Sequence, residues 1–388
     1  MLFLDTIGNV EGAQKVSELY GNLNFFYNLN SYDSFGLAVT ALSDVNGDSI
    51  RDLAVSAFLD DDGGADAGAV YVLFLNSDDN VKTAQKVSMN HNNFGTFYTL
   101  DAKDGFGHSL ESLGDIDSDG IIELIVGAYE DDDGGTDAGA VYTLFLDTTG
   151  NVTGAQKISA LYGDLSSFYT LVAGDKFGNT IASLGDLDGD DEVDMAVGSY
   201  KDIDGGTRVS AVYVLFLKSN KHVKKAQKLS MLYGDLNVFY TLEAEDHFGS
   251  SVAALGDLNG DGAVDMAVGT VHDDDGGLNA GAVYVLFLAS DGKIKNAQKI
   301  SMLYGNFSSF YTLGAWDRLG HSAAALGDID GDGVMDLAVG AYGDDDGVSG
   351  TGAVYVINLE QTYCETLVIL QLRILIISFF SALLFFCA

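Results

Sequence analysis

The sequence predicts an all-β chain folded as a β-propeller of four-stranded blades, and three observations in its 388 residues predict it. A Phe-Gly pair returns every 71 residues, at Phe35-Gly36, Phe106-Gly107, Phe177-Gly178 and Phe248-Gly249, with Leu319-Gly320 in the fifth place. Each copy then carries an acidic phrase of fixed spacing, read in the fifth as Asp328-Ile329-Asp330-Gly331-Asp332-Gly333-Val334-Met335-Asp336. Between these landmarks lie short apolar runs, broken by glycine too often for a helical period to survive over about twelve residues.

The second unit shows the order of elements. Phe106 to Leu113 leads into the acidic loop and Glu123 to Ala128 resumes an apolar run, so the pair reads as a hairpin around that loop. After Asp131-Asp132-Asp133-Gly134-Gly135 comes Gly139 to Leu146, rich in β-branched and aromatic residues and suited to a buried strand. Ala155 to Ser159 alternates more and reads as an outer strand. Four strands per unit give blades near 31–101, 102–172, 173–243, 244–314 and 315–362. The fifth unit stops after its third strand, near Leu359, while a counterpart of the missing fourth stands at Ala13 to Ser17. Residues 1–30 are therefore expected to complete the last blade and cover the sheet edges, giving five blades. A truncated six- or seven-bladed propeller is the alternative.

Acidic residues outnumber basic ones 57 to 19, for a net charge of -38, which disfavours nucleic acid and anionic surfaces and favours cations. A hydrophobic share of 47% argues for a buried core over disorder. The two cysteines, Cys364 and Cys387, lie outside the repeats and supply no disulfide framework for them. With no proline, turn geometry falls to glycine and aspartate. Met1 to Asp5 matches the middle of a repeat, as at Val72 to Asn76, so no signal peptide is read there. Residues 363–388 form a hydrophobic tail whose run from Leu367 is long enough to cross a bilayer, with Arg373 near its start, and it is a candidate membrane anchor.

The acidic phrases have the spacing of a calcium loop: positions one, three, five and nine present oxygen side chains and position seven offers a backbone carbonyl. The first set is Asp44, Asn46, Asp48, Ile50 and Asp52, and the second Asp115, Asp117, Asp119, Ile121 and Glu123. The third is Asp186, Asp188, Asp190, Glu192 and Asp194, the fourth Asp257, Asn259, Asp261, Ala263 and Asp265, and the fifth Asp328, Asp330, Asp332, Val334 and Asp336. Hard oxygen donors without cysteine or histidine select calcium over zinc, and the number of flexible protein oxygens selects it over magnesium, about one ion per repeat. Ser49 and Asp191 stand where glycine usually permits the sharp bend, marking those two loops as the least regular. Strand-like runs flank every loop, which excludes a helix-flanked calcium hand.

The Phe-Gly pair, the Asp-x-Asp-x-Asp-Gly-x-x-Asp loop and the Gly-Ala-Val strand together resemble FG-GAP repeats, which build the β-propeller of integrin alpha subunits. The resemblance covers roughly residues 1–359. The Gly-Ala-Pro ending of the family motif appears here as Gly68-Ala69-Val70, and integrin alpha propellers have seven blades where this chain supplies five units. What the resemblance implies is a calcium-binding propeller for extracellular adhesion or ligand recognition, extracellular or at the cell surface, with a protein or glycan ligand on the face opposite the calcium loops. An accessory propeller of a larger surface protein or secreted enzyme is the alternative.

On that opposite face lie acidic triplets such as Asp60-Asp61-Asp62 and Asp131-Asp132-Asp133, read as a solvated rim. Three residues before each Phe-Gly the copies differ completely, as Tyr32, Lys103, Gly174, Glu245 and Trp316, and Tyr32 and Trp316 are the candidate ligand contacts. No unit gathers a nucleophile with a base: the most divergent group, Lys201, Asp202 and Arg208, lacks one, and His108 and His321 read as hairpin surface residues, so no catalysis is expected of this chain.

Overall fold

The protein is described by a computed structural model covering residues 2–4, 10–116, 120–203, 210–345, 350–364 and 367–373. It forms five four-stranded antiparallel sheets arranged as the blades of a β-propeller. β1 (Leu2–Leu4) and β2 (Val10–Ala13) pair with each other in a separate small sheet. The first blade is β3 (Phe35–Ala41), β4 (Leu53–Ala57), β5 (Ala69–Leu75) and β6 (Val81–Val87). The second is β7 (Phe106–Gly114), β8 (Glu123–Ala128), β9 (Ala140–Leu146) and β10 (Val152–Ile158), and the third β11 (Phe177–Gly185), β12 (Asp194–Ser199), β13 (Ala211–Leu217) and β14 (Val223–Leu229). β15 (Phe248–Gly256), β16 (Asp265–Thr270), β17 (Ala282–Leu288) and β18 (Ile294–Ile300) make the fourth, and β19 (Leu319–Gly327), β20 (Asp336–Ala341), β21 (Ala353–Cys364) and β22 (Leu367–Arg373) the fifth.

Burial follows the sequence pattern. The third strands β5, β13 and β17, each Ala-Val-Tyr-Val-Leu-Phe-Leu, are buried at every residue, as a strand covered on both faces requires. The outer strands β6 and β18 are exposed near their starts and buried at their ends. Successive blades share cores, Val72 and Phe74 of the first clustering with Leu124 and Tyr142 of the second, and within a blade Phe106 meets Tyr142 edge-on at 5.4 Å, as Phe177 meets Tyr213.

The two motifs that mark the repeat meet across the blade boundary. Gly68 forms a parallel bridge with Phe106 of the next blade, as Gly139 does with Phe177 and Gly281 with Leu319. At Gly139 a Cβ would lie 2.1 Å from the Phe177 carbonyl oxygen, so no other residue fits there. The Phe106 amide donates to the Ala67 carbonyl at 3.0 Å, and the Phe177 amide to that of Ala138 at 3.0 Å. The connector tyrosines add a second stitch: Tyr98 accepts from the Lys157 amide and meets Tyr142 at 5.6 Å.

The closure differs from expectation. β2 pairs with β1, not with the fifth blade, and Val16, Tyr27 and Leu29 pack against the core of the first blade. The outer strand of the last sheet is β22, which pairs with Asn358–Cys364, so strand pairing runs on to Arg373, past the expected boundary at 362. The other third strands reverse after seven residues at polar turns such as Asn76 to Asn80, whereas β21 continues for twelve. Among the described residues, Val354 to Ile357 of β21 therefore pair with β20 alone. Inner strands meet in the order β3, β7, β11, β15 and β19, and no contact of similar extent joins β19 back to β3 among the described residues. In keeping with this, Val39 and Val354 are exposed. No helix is long and apolar enough to cross a membrane among the described residues, and 374–388 of the candidate anchor lie outside them.

Candidate metal loops and the opposite face

Each acidic loop joins the first and second strands of its blade and is organised by its own aspartates. In the third loop, Asp186 accepts from the amides of Gly189, Asp190 and Asp191, and Asp190 accepts from Glu192. The fourth and fifth repeat this, with Asp257 accepting from Gly260, Asp261 and Gly262, and Asp328 from Gly331, Asp332 and Gly333. In the first, Asp44 accepts from Asp48 and Ser49, and Asn46 from Asp48. Ser49 and Asp191 adopt the same left-handed backbone, φ 67° and 69°, as Gly262 at 88° and Gly333 at 89°, so the two loops marked as irregular keep the common path with strain in place of glycine.

The ninth residue is buried and ties the loop to the third strand. Asp194 accepts from Leu187 and Leu217, Asp265 from Leu258 and Leu288, Asp52 from Val45 and Leu75, and Asp336 from Ile329 and Leu359. Burial pushes the carboxyls of Asp52 and Asp194 up to about 6 and that of Asp265 to about 7, against the opposing pull of those amides. In the second loop, Glu123 accepts from Ile116 and Asp115 from Gly120, while Asp117 and Asp119 lie outside the described residues. At the seventh position Ile121, Ala263 and Val334 are buried and Ile50 is partly so, whereas Glu192 directs its carboxylate to Lys221 at 2.6 Å.

Carboxylate oxygens of Asp186, Asp188 and Asp194 lie within 4.8 Å of one another, as do those of Asp328, Asp330 and Asp332. Asp188 Oδ1 is buried without a hydrogen-bond partner. Grouped carboxylates repel one another unless a positive charge sits among them, so this donor set fits a hard divalent cation. Lysine ammonium groups stand in for such a charge at the first, third and fourth loops, where Lys82, Lys224 and Lys295 reach Asp48, Asp188 and Asp261, each at 2.8 Å.

The opposite face corrects the reading of a solvated acidic rim. Asp60, Asp131, Asp202 and Asp273, the first members of the acidic stretches, are buried. Each meets a buried lysine of the outer strand: Lys86, Lys157, Lys228 and Lys299 lie 2.6–2.8 Å away. Tyr142 donates to Asp131 at 2.8 Å, and Tyr213 to Asp202 at 2.6 Å. Lys157 also reaches Asp133, and although burial works against its charge, the two carboxylates raise its proton affinity. Only the middle residue of the triplet, such as Asp132, is exposed. The signal was present in the sequence, since a lysine recurs in every complete outer strand, yet it stands 26 residues from its partner.

Tyr32 and Trp316 are exposed and belong to different blades. Their position has left-handed backbone in all five copies, φ 76° at Tyr32 and 73° at Trp316. Arg318 lies 5.5 Å from the Trp316 ring and 4.9 Å from that of Tyr342, which turns the fifth-blade position into a cationic aromatic patch. A cavity of about 640 Å³ opens on the propeller axis, with Leu37, His108, Asn179, Ser250 and His321 each contributed by a different blade. The two histidines thus line the axis instead of an outer hairpin surface, and His108 stacks on Tyr129 at 4.0 Å.

The FG-GAP repeat family model matches residues 35–73 and 320–357, and a second FG-GAP repeat model matches 242–287. Human integrin alpha-11 is 32% identical over 171 residues, 44% of this chain and 13% of that protein. Integrin alpha-PS5 of Drosophila melanogaster is 37% identical over 122 residues, 31% of this chain and 11% of the relative. Integrin alpha pat-2 of Caenorhabditis elegans is 40% identical over 99 residues, 24% of this chain and 7% of the relative. The matches thus span only a small fraction of the length of each relative.

Proposed function

This chain is an integrin-alpha-like FG-GAP repeat protein, and from that premise we propose that it is a calcium-stabilised propeller for adhesion or ligand recognition, working extracellularly or at the cell surface and without catalysis of its own. The observation that carries the reading is the repeated loop in which three carboxylates converge, as Asp328, Asp330 and Asp332 do, on a frame already fixed by backbone amides. Such a frame holds the oxygens ready and leaves their charge to be neutralised by a hard cation, about one per repeat. Calcium supplies that neutralisation when bound; the residues that hold it are those at positions one, three, five, seven and nine of each loop.

The ligand is a protein or glycan, and its place is the face opposite the loops, where Tyr32 and Trp316 are the contacts. Trp316 is half exposed beside Arg318 and is the sole tryptophan of the chain, so ligand arrival there is readable by its fluorescence.

The test of the calcium reading is thermal unfolding of the full chain with calcium and with a chelator, since a ligand bound only by the native state raises its stability by mass action. A clear rise of Tm in calcium that shrinks in Asp328→Ala/Asp332→Ala supports the reading. Superimposable curves overturn it.

A further inference from the structure

The fourth strand of each blade begins beside the metal loop of that blade, and the residue placed there changes along the chain. In the first blade it is Lys82, whose Nζ lies 2.8 Å from Asp48 Oδ2. In the fourth it is Lys295, 2.8 Å from Asp261 Oδ2. In the third, Lys224 bridges two candidate ligands, reaching Asp188 Oδ2 at 2.8 Å and contacting Asp190 as well. The third loop has a second internal cation: Lys221, fully buried, lies 2.6 Å from Glu192 Oε2 and donates to the Ile116 carbonyl at 3.2 Å. In the second blade the equivalent residue is the neutral Thr153, whose hydroxyl donates to the Phe145 carbonyl.

The fifth loop is built differently. No lysine contacts Asp328, Asp330 or Asp332 among the described residues. Its neighbour is Asn358 of β21, where the corresponding third-strand residues are Phe74, Phe145, Phe216 and Phe287. Asn358 is buried, donates to Asp330 Oδ2 at 3.2 Å, and has an Oδ1 without a hydrogen-bond partner. A flip of this amide would present a neutral oxygen to the loop, which an ammonium cannot do.

An ammonium seated on a ligand carboxylate opposes a divalent cation in two ways. It must give up its ion pair before the carboxylate can ligate, and its charge stays within a few ångströms of the incoming ion. We propose that the chain grades the cation affinity of its four fully described loops through these lysines: the fifth loop takes calcium first, the first and fourth follow, and the third, with two lysines, comes last. This rests on the calcium reading above and adds to it a division of labour. The first, third and fourth blades have a built-in cation that holds their loops when calcium is scarce, while the last blade depends on the ion from solution.

The experiment is a calcium titration of the full chain by isothermal calorimetry, compared with Lys82→Met/Lys224→Met/Lys295→Met. The wild type is expected to show a tight class that loses one ion in Asp328→Ala and a weaker class at least about tenfold apart from it. In the triple variant the weaker class is expected to tighten about tenfold with the number of ions unchanged. Isotherms of wild type and variant that superimpose, with calcium still bound, overturn the grading and leave the calcium reading standing. A wild type that binds no calcium overturns both. Lys82→Gln alone, at a half-exposed side chain that bears no core packing, gives the same comparison on one loop should the triple variant not fold, with one ion tightening expected and an unchanged isotherm counting against the grading.

Discussion

The two faces of the disc solve one problem, the crowding of carboxylates, in opposite ways. On the face with the acidic triplets, Asp131 is sealed inside the blade with Lys157 at 2.7 Å and Tyr142 at 2.8 Å. On the other, Asp328, Asp330 and Asp332 sit together at the surface with carboxylate oxygens held by backbone amides. The first arrangement is complete within the chain; the second is completed by the ion we propose. The difference teaches that an aspartate run does not declare its use through its own residues. What decides is whether a lysine from another strand arrives at the same depth.

The largest effect should come from breaking the internal pair. Lys157→Met leaves Asp131 buried without its ammonium, and a loss of roughly 3–5 kcal/mol is expected, equal in calcium and in chelator; chemical denaturation under both conditions measures it, and a loss confined to calcium would erase the contrast between the faces. The solvent-facing set behaves in the reverse manner. Asp328→Ala/Asp332→Ala is expected to cost roughly 2–3 kcal/mol more at saturating calcium than in chelator, where only the loop's own amide bonds are lost. The same pair of melts decides it.

A third prediction concerns a carboxyl beside the acidic triplet of the second blade. Asp104 accepts from the Asp101 amide at 2.8 Å, and burial, with Asp131 nearby, pushes its proton affinity up to about 8. Since the folded value lies above the ordinary 3.8, the folded state binds the proton more tightly. That contribution is whole below about pH 4 and is lost as the pH rises through 8. Asp104→Asn keeps an acceptor for the amide and removes the titration, so the wild type is expected to lose stability relative to it progressively between those limits. Parallel pH profiles of the two proteins would refute this. The smallest effect is a gain: Asp191→Gly relieves a left-handed φ of 69° and is expected to stabilise by about 0.5–1 kcal/mol, read as a rise in Tm.

The sequence carried the blade count, the strand order and the loops far better than it carried the ends. Periodicity identifies Phe106 and Gly139 as landmarks because each is repeated, and the structure shows why they repeat: they touch neighbouring copies of one another across a boundary. Repetition has nothing to say about where a terminal element docks. Ala13 to Ser17 matches a fourth strand residue for residue, yet Val16 packs on the first blade and β22 takes the outer place in the last sheet. The buried lysines escaped notice for another reason. A triplet such as Asp131-Asp132-Asp133 followed by two glycines has every local mark of a wet turn, and only the fold brings Lys157 to it. The lysines at the acidic loops, Lys82 and Lys224, were hidden in the same way, each 34 residues from the carboxylate it reaches.

The bridge between one blade and the next has a direction. The Phe106 amide reaches back to Ala67, the Phe177 amide to Ala138 and the Leu319 amide to Ala280, so the second, third and fifth blades anchor their first strands in their predecessors. Removing the fifth blade takes from the fourth a neighbour, whereas removing the first takes from the second an anchor. An array stitched this way unzips unequally from its two ends. Amide exchange is expected to spread from the first blade into the second faster than from the fifth into the fourth.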